Sequence, residues 1–461
     1  MEKILEIIKK LSGEVSQNLI DSFLQTTVEK LWTEYVMEIE TVIKTRVDSL
    51  KITVPNASVK KEYKTVIPFR VEGVSESLLE GLDETGLSAD KTEDGFVLSG
   101  TPSKSGTFPI VIKYRYDGCF IDKWLEKKVD LIINPDPRDL WKDIPVREDI
   151  EYPKVNEFKE YVKVTSLDGT QRKDIAAASK RGRSHANEGK PRDDDFRLYH
   201  SDANDWYVIA VADGAGSAQF SREGSRIACE TAVNHCINEL KNSEKFEENI
   251  KLYDLSINDS ESEARKLVGD CVYKIVGNAA FWAHKEIDKV AEEKGVPSKL
   301  YATTLLLSIA KKFDFGWFVA TFWVGDGAIC LYTDGYDKEP STAVLMGVPD
   351  EGEFAGQTRF LTMPDIFKDS TSLYKRLRFR IVKDFTALFL MTDGVSDPWF
   401  ETDSNLNNPE KWQAFYKEIQ DNKEHPVLLE DDNEESAQQL LDWLDFWSPG
   451  NHDDRTIAIL Y

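Results

Sequence analysis

The chain has 461 residues, more than one ordinary hydrophobic core requires, so two or three domains are expected. Hydrophobic residues make up 41% of the sequence, which argues against wholesale disorder. The 82 acidic residues outnumber the 58 basic residues and give a formal net charge of −24. That charge disfavours non-specific binding to nucleic acid or to an anionic membrane.

The five cysteines are scattered and contain no CxxC pair, so the sequence predicts neither a disulfide framework nor a zinc knuckle. The chain has no uninterrupted apolar run of about 18 residues and no apolar leader before a small-residue cleavage site. We therefore expect a cytoplasmic protein that neither spans nor binds a membrane.

Residues 1–50 predict an amphipathic helical segment, because apolar side chains recur at spacings of three and four from Ile4, Ile8, Leu11 and Val15 onwards. Between Val28 and Val42 the steps run four, three, four, three, which is compatible with a short coiled coil and a dimer through these helices. The run covers barely two heptads. A helix packed on its own neighbouring domain is therefore the favoured alternative.

Residues 51–134 contain short apolar runs separated by Gly, Pro and Ser turns, a pattern typical of an all-β sandwich. The order Gly86-Leu87-Ser88, Ser99-Gly100-Thr101-Pro102 and Gly106-Thr107-Phe108 resembles the bacterial immunoglobulin-like modules. Such modules usually space domains or bind partners. Two prolines among charged residues then end the β pattern, and residues 135–160 are interpreted as an extended linker.

Three short apolar runs in the rest of the chain end on Asp-Gly pairs: Asp213-Gly214, Asp326-Gly327 and Asp393-Gly394. A fourth acidic turn, Asp453-Asp454, stands near the end. A strand that ends on Asp-Gly brings a carboxylate to the edge of a sheet, where the glycine allows the backbone to turn. Several such ends meeting at one place would form a metal site made of oxygen ligands, which magnesium and manganese prefer.

The ordered series from Asp193-Asp194-Asp195-Phe196 through Val211-Ala212-Asp213-Gly214 to Asp453-Asp454-Arg455-Thr456 resembles the metal-dependent type 2C protein phosphatases over residues 161–461. The resemblance implies an α+β fold in which a two-sheet β-sandwich is flanked by helices. It also implies two or three Mn2+ or Mg2+ ions. The reaction it implies is hydrolysis of phosphoserine or phosphothreonine in proteins by a metal-activated water.

Compared position by position, the resemblance implies that four aspartates act in catalysis by holding metal ions: Asp194, Asp213, Asp393 and Asp453. The full set of metal ligands that it implies is Asp194, Asp213, Gly214, Asp326, Asp393, Asp397 and Asp453. Two positions depart from the family. Gly189 stands where many members have a phosphate-binding arginine, so Arg192 or His185 is the candidate for the substrate phosphate, and Asp454 replaces the usual asparagine.

Other interpretations of these residues stay open. Thr303 and Thr304 fit core positions better than chemical ones, and His185 alone fits a structural histidine. A phosphatase-like binding or regulatory module with weak catalysis is the alternative function, and a metal-dependent nuclease is disfavoured by the negative charge. A phosphoprotein is the expected substrate, a serine/threonine kinase is a candidate partner, and the stretch between Gly327 and Arg380 is the expected determinant of specificity.

Overall fold

The structure is a computed structural model that describes residues 17–116, 123–165, 172–257, 262–335, 339–350 and 358–461, together with residues 3, 6, 10 and 259. Ile4, Ile8, Leu11, Val15 and Cys119 lie outside the described residues. The chain divides into two compact units, Met1–Leu140 and Trp141–Tyr461. Residues 141–160 of the predicted linker therefore belong to the second unit.

The first unit combines one long helix with two small sheets. Helix α1 (Gln17–Ser49) buries Ile43 and Val47 in a core that it shares with strands of both sheets. The strand orders are β1-β7-β6-β3 and β2-β5-β4, so residues 51–134 are all-β as predicted, whereas the relation to immunoglobulin-like modules stays a prediction. The strands are β1 Ala57–Ser58, β2 Tyr63–Pro68, β3 Val74–Glu80, β4 Leu87–Thr92, β5 Gly95–Gly100, β6 Gly106–Tyr116 and β7 Leu125–Asn134.

The second unit contains two antiparallel sheets, with strand orders β10-β11-β12-β13-β16 and β15-β14-β17-β18-β9-β8. Their strands are β8 Glu157–Val162, β9 Ile175–Lys180, β10 Asp195–His200, β11 Tyr207–Ala212, β12 Leu305–Phe313, β13 Gly316–Val324, β14 Ala328–Thr333, β15 Thr342–Leu345, β16 Leu377–Val382, β17 Ala387–Met391 and β18 Arg455–Leu460.

The unit also contains helices, most of which pack on the outer faces of these sheets. They are α2 Arg183–Glu188, α3 Ser221–Leu240, α4 Glu244–Leu255, α5 Glu263–Val272, α6 Asn278–Lys294, α7 Ser370–Tyr374, α8 Asp393–Phe400, α9 Pro409–Asp421 and α10 Ser436–Trp443. Among the described residues, no helix is both long and apolar enough to cross a membrane.

Strand β11 shows why its sequence is apolar throughout. Val208 and Ala210 pack in the core formed with the helices, whereas Ile209 and Val211 pack in a second core with residues of the other sheet. A strand covered on both faces reads as a continuous apolar run. The unit is thus a mixed fold of sheets and helices, as predicted.

The register of the strands brings the acidic residues to one edge. Asp195 pairs with Ala212 in antiparallel strands. Asp194, just before β10, and Asp213, just after β11, therefore lie at the same end of the two strands. In the other sheet Met391 pairs with Ile457, so the chain beyond β17 and the chain before β18 meet there as well. The Asp393-Gly394 pair predicts a turn after β17, but Asp393 is instead the first residue of helix α8.

Candidate metal centre

Three of the predicted ligands converge. Asp213, Asp326 and Asp393 each offer a carboxylate oxygen, and these oxygens all lie within 4.8 Å of one another. Burial raises the pKa of Asp213, and the charges of Asp393, Asp194 and Asp453 raise it further. Burial and the charge of Asp326 likewise raise the pKa of Asp393 well above its usual value. Crowded like charges of this kind are stabilised by a cation.

Asp194 lies beside this group with one oxygen held and one free. Its Oδ2 accepts hydrogen bonds from the hydroxyls of Thr392, at 3.0 Å, and Thr456, at 2.7 Å. Its Oδ1 is buried and has no hydrogen-bond partner among the described residues. Burial and the charge of Asp454 raise the pKa of Asp194 to about 7. A buried carboxylate oxygen without a donor is an acceptor that a metal ion would satisfy.

Asp397 and Asp453 extend the acidic group. Burial and the charge of Asp326 raise the pKa of Asp397 to about 6. The pKa of Asp453 is also raised by burial, and its own charge acts on Asp213 and Asp393. Gly214 forms an isolated bridge with Thr303 beside these residues. Asp213, Asp326 and Asp393 thus converge, and the charges of Asp194, Asp397 and Asp453 act on the same carboxylates. Coordination of a metal by the seven predicted ligands stays a prediction.

The backbone of Asp213 is held by two threonines that the sequence analysis interpreted as core. The Thr303 hydroxyl donates to the Asp213 carbonyl at 2.7 Å, and the Asp213 N–H donates to the Thr304 hydroxyl at 2.8 Å. Both threonines are buried, which fits the core interpretation, but their hydroxyls also position a predicted ligand. Thr392 and Thr456 likewise hold Asp194, through its carboxylate. No spacing in the sequence distinguishes these threonines from ordinary ones.

Asp454 offers a carboxylate oxygen within 4.8 Å of ligand atoms of Asp453 and His185, and it meets three donor groups. It accepts the backbone N–H groups of Gly182, at 2.6 Å, and Asp193, at 2.5 Å, and its Oδ2 lies 3.0 Å from His185 Nδ1. Burial alone would lower the pKa of His185, but Asp454 and Asp193 raise it to about 9. His185 is therefore a cation held between the buried carboxylates of Asp454 and Asp193. The hydrogen bond from the Asp193 N–H to Asp454 links the first acidic motif to the start of strand β18.

The two candidates for the substrate phosphate are both buried. Arg192 is 2% exposed, and its Nε donates to the Val155 carbonyl at 3.4 Å. His185 is 7% exposed and faces Asp454. Asp193 accepts from Ser221 Oγ, at 2.9 Å, and from the nearby Arg222. A role for either candidate in binding phosphate stays a prediction.

One basic residue at the centre was missed. Lys154, from the segment interpreted as a linker, lies with its Nζ 2.9 Å from the Asp194 carbonyl oxygen and 2.9 Å from Asp195 Oδ2. Burial would raise the pKa of Asp195, but Lys154, Arg192 and Arg197 lower it below its usual value. A single lysine after Pro153 carries no sequence signal of this contact.

The donor set consists of hard oxygens, since the convergent side chains are carboxylates, and the free Asp194 Oδ1 adds another buried acceptor. Magnesium and manganese fit such ligands, whereas zinc sites favour histidine and cysteine. The residues present therefore fit the predicted ions.

Comparison with known proteins gives an independent result. The sequence profile of the family described as Protein phosphatase 2C matches residues 181–445. No curated protein matches the chain.

Three similar solved structures illustrate the comparison. A serine-threonine phosphatase 2C from Toxoplasma gondii is 15% identical, the match covering 67% of this chain and 99% of that chain with a TM-score of 0.40. The catalytic domain of the serine threonine protein phosphatase PstP, in complex with two manganese ions, is 16% identical over 62% of this chain and 96% of that chain, with a TM-score of 0.34. A C. elegans sex determining protein is 13% identical over 63% of this chain and 65% of that chain, with a TM-score of 0.38.

The profile match covers more than half of the 461 residues and includes Asp194, Asp213, Asp326, Asp393 and Asp397. The chain belongs to the protein phosphatase 2C family.

Proposed function

We propose that the chain is a metal-dependent protein phosphatase that hydrolyses phosphoserine and phosphothreonine. The observation that carries the proposal is the convergence of the Asp213, Asp326 and Asp393 carboxylates within 4.8 Å, beside an Asp194 oxygen without a donor. A scaffold protein has no need for so many carboxylates at one place, because their mutual repulsion costs free energy unless a cation compensates it.

Asp194, Asp213, Asp393 and Asp453 would hold two Mn2+ or Mg2+ ions, and Asp326 and Asp397, with Asp393, would hold a third. Bound there, divalent cations supply a water that is nucleophilic near neutral pH and positive charge for the phosphoryl oxygens. The protein's own contribution is orientation. Thr392 and Thr456 fix the carboxylate of Asp194, and Thr303 and Thr304 fix the backbone of Asp213.

The direct test is release of phosphate from a phosphothreonine peptide by the full chain with Mn2+, with Mg2+ and with a chelator. We expect turnover with either ion and none with the chelator. Asp393→Asn removes a convergent carboxylate, so turnover should fall at least about 100-fold, the upper range seen when mere supporting residues of metal sites are lost.

Asp431→Asn is the matched control. Asp431 belongs to a separate acidic group with Asp174 and Asp432, and this substitution should leave turnover unchanged. Tight binding of Mn2+ without release of phosphate would reject the phosphatase and favour the alternative, a phosphatase-like binding module.

The proposal extends to partners and location. A phosphoprotein is the substrate, a serine/threonine kinase that produces it is the implied partner, and the cytoplasm is the proposed compartment. A phosphoprotein made by one kinase and left untouched by the active enzyme would remove that kinase from consideration.

A further inference from the structure

The segment of residues 141–156, which we call the strap, runs along residues 181–189 of the second unit, just before the first acidic motif. The Ile144 N–H donates to the Ala186 carbonyl at 2.9 Å, and the Arg147 N–H donates to the Gly189 carbonyl at 3.3 Å. At the other end of the strap, the Arg181 N–H donates to the Asn156 carbonyl at 2.7 Å. The strap lies outside residues 181–445, which match the family profile.

Lys154 is the strap residue that reaches the acidic motif. Its Nζ lies 2.9 Å from the Asp194 carbonyl, 2.9 Å from Asp195 Oδ2 and 3.0 Å from Ser225 Oγ. An ammonium group has three N–H donors, so these three acceptors use all of them. The lysine side chain is only 11% exposed, and Asp195 is 5% exposed, so water screens these contacts little.

Ser225 connects the Lys154 ammonium group to the Asp193 carbonyl. Its hydroxyl donates to the Asp193 carbonyl at 2.5 Å while it accepts from Lys154. The carbonyl groups of Asp193 and Asp194 are thus held by Ser225 and Lys154, respectively. On the opposite side, Thr392 and Thr456 hold the carboxylate of Asp194.

These two sets of bonds together leave Asp194 Oδ1 buried and without a partner among the described residues. We propose that Lys154 is a positioning residue, which fixes the backbone of Asp194 so that this oxygen is presented to a divalent cation. The inference rests on the proposed metal centre. It means that the working phosphatase unit begins at the strap, upstream of the region that the family profile matches.

The test is the affinity of the full chain for Mn2+, measured by isothermal titration calorimetry without any phosphate substrate. Lys154→Met removes the three donors and keeps an apolar stem of similar length. We expect its Kd for Mn2+ to be at least about tenfold weaker than that of the wild type, in line with losses at other supporting residues of metal sites. A Kd within twofold of the wild type would overturn the proposal.

Two controls separate positioning from general loss of stability. Lys142→Met alters an exposed lysine of the same strap and should leave the Kd unchanged. Ile250→Ala opens a cavity in the core between helices and sheet, away from the acidic motif, and should lower the melting temperature but not the affinity. If Ile250→Ala weakens Mn2+ binding as much as Lys154→Met, the effect is general and the proposal is wrong.

Ser225→Ala provides a second variant should Lys154→Met fail to fold. It removes one acceptor of Lys154 and the bond to the Asp193 carbonyl, and we expect a weaker Kd for Mn2+ than that of the wild type. An unchanged Kd there would count against the proposal.

The phosphatase proposal fails separately. A wild type that binds Mn2+ but releases no phosphate rejects the phosphatase, while the Kd values of the variants still decide the role of Lys154. A wild type that does not bind Mn2+ rejects both.

Discussion

Asp454 and His185 form a buried pair, with 3.0 Å between Asp454 Oδ2 and His185 Nδ1. The Asp454 carboxylate meets only donors, namely two backbone N–H groups and the His185 ring. An asparagine would turn its own NH2 group towards one of these donors and leave a buried polar group unsatisfied. The aspartate and the charged histidine therefore belong together, and a carboxylate oxygen of Asp453 lies within 4.8 Å of both.

This pair predicts a pH dependence of stability. The folded-state pKa of His185, about 9, lies above the ordinary value of 6.5, so its contribution is fully present below pH 6.5 and is lost as the pH rises through 9. The difference corresponds to about 3 kcal/mol. Urea unfolding in the presence of chelator should show this loss in the wild type. His185→Gln should lack it, and a wild type whose stability is flat between pH 6.5 and 9 would contradict the prediction.

At the level of elements, the start of helix α8 depends on a close approach to strand β18. A Cβ added to Gly394 would overlap the carbonyl oxygen of Asp454, so only glycine lets the helix carry Asp393 this near to the last strand. Gly394→Ala should lower the free energy of unfolding by about 2 kcal/mol, the usual cost of overpacking. Denaturant titration measures the change.

Gly216→Ala is the matched control, since its added Cβ meets nothing within 4 Å. It should change the free energy of unfolding by less than about 0.5 kcal/mol. Equal losses in the two variants would mean that the close approach at Gly394 is not the cause.

Helix α1 packs Ile39, Ile43 and Val47 on the core of the first unit, as the favoured alternative expects, and a dimer through its exposed side chains stays a proposal. Val28, Tyr35 and Val42 are 44%, 54% and 49% exposed, and they follow the predicted coiled-coil spacing on a helix whose Ile43 and Val47 are already buried in the first unit. A second copy of the same helix would cover this row. Sedimentation equilibrium should show a dimer that the double variant Val28→Glu, Tyr35→Glu dissociates. Leu255→Glu, at an apolar residue 84% exposed in the second unit, should not; a monomeric wild type would end the proposal.

For the whole molecule, the repulsion among the acidic residues predicts stabilisation by metal. A ligand that binds only the folded state at 100 times its Kd stabilises that state by about 2.7 kcal/mol. Differential scanning calorimetry of the full chain should therefore show a higher melting temperature for the second unit with Mn2+. Asp213→Asn should abolish the increase, whereas Asp431→Asn should retain it. An increase that survives in Asp213→Asn would place the ion elsewhere.

The sequence alone determined the elements whose signal is local. Apolar runs ending on Asp-Gly predicted β11, β13 and β17 and the acidic residues that follow them, because strand burial and glycine turns act over a few neighbouring residues. The ordered motifs predicted the family over much of the chain for the same reason. The all-β character of residues 51–134 was predicted in the same way.

Tertiary structure decided which groups lie against those carboxylates. Thr303 is 90 positions from Asp213 in the sequence, and Thr456 and Lys154 are 262 and 40 positions from Asp194. None of the three has a local sequence pattern that predicts its contact. Lys154 follows a proline in a charged stretch that has every local feature of a linker. Only the packing of the strap on the first acidic motif gives it a partner, since hydrogen bonds between distant segments depend on the fold and leave no periodic pattern in the sequence.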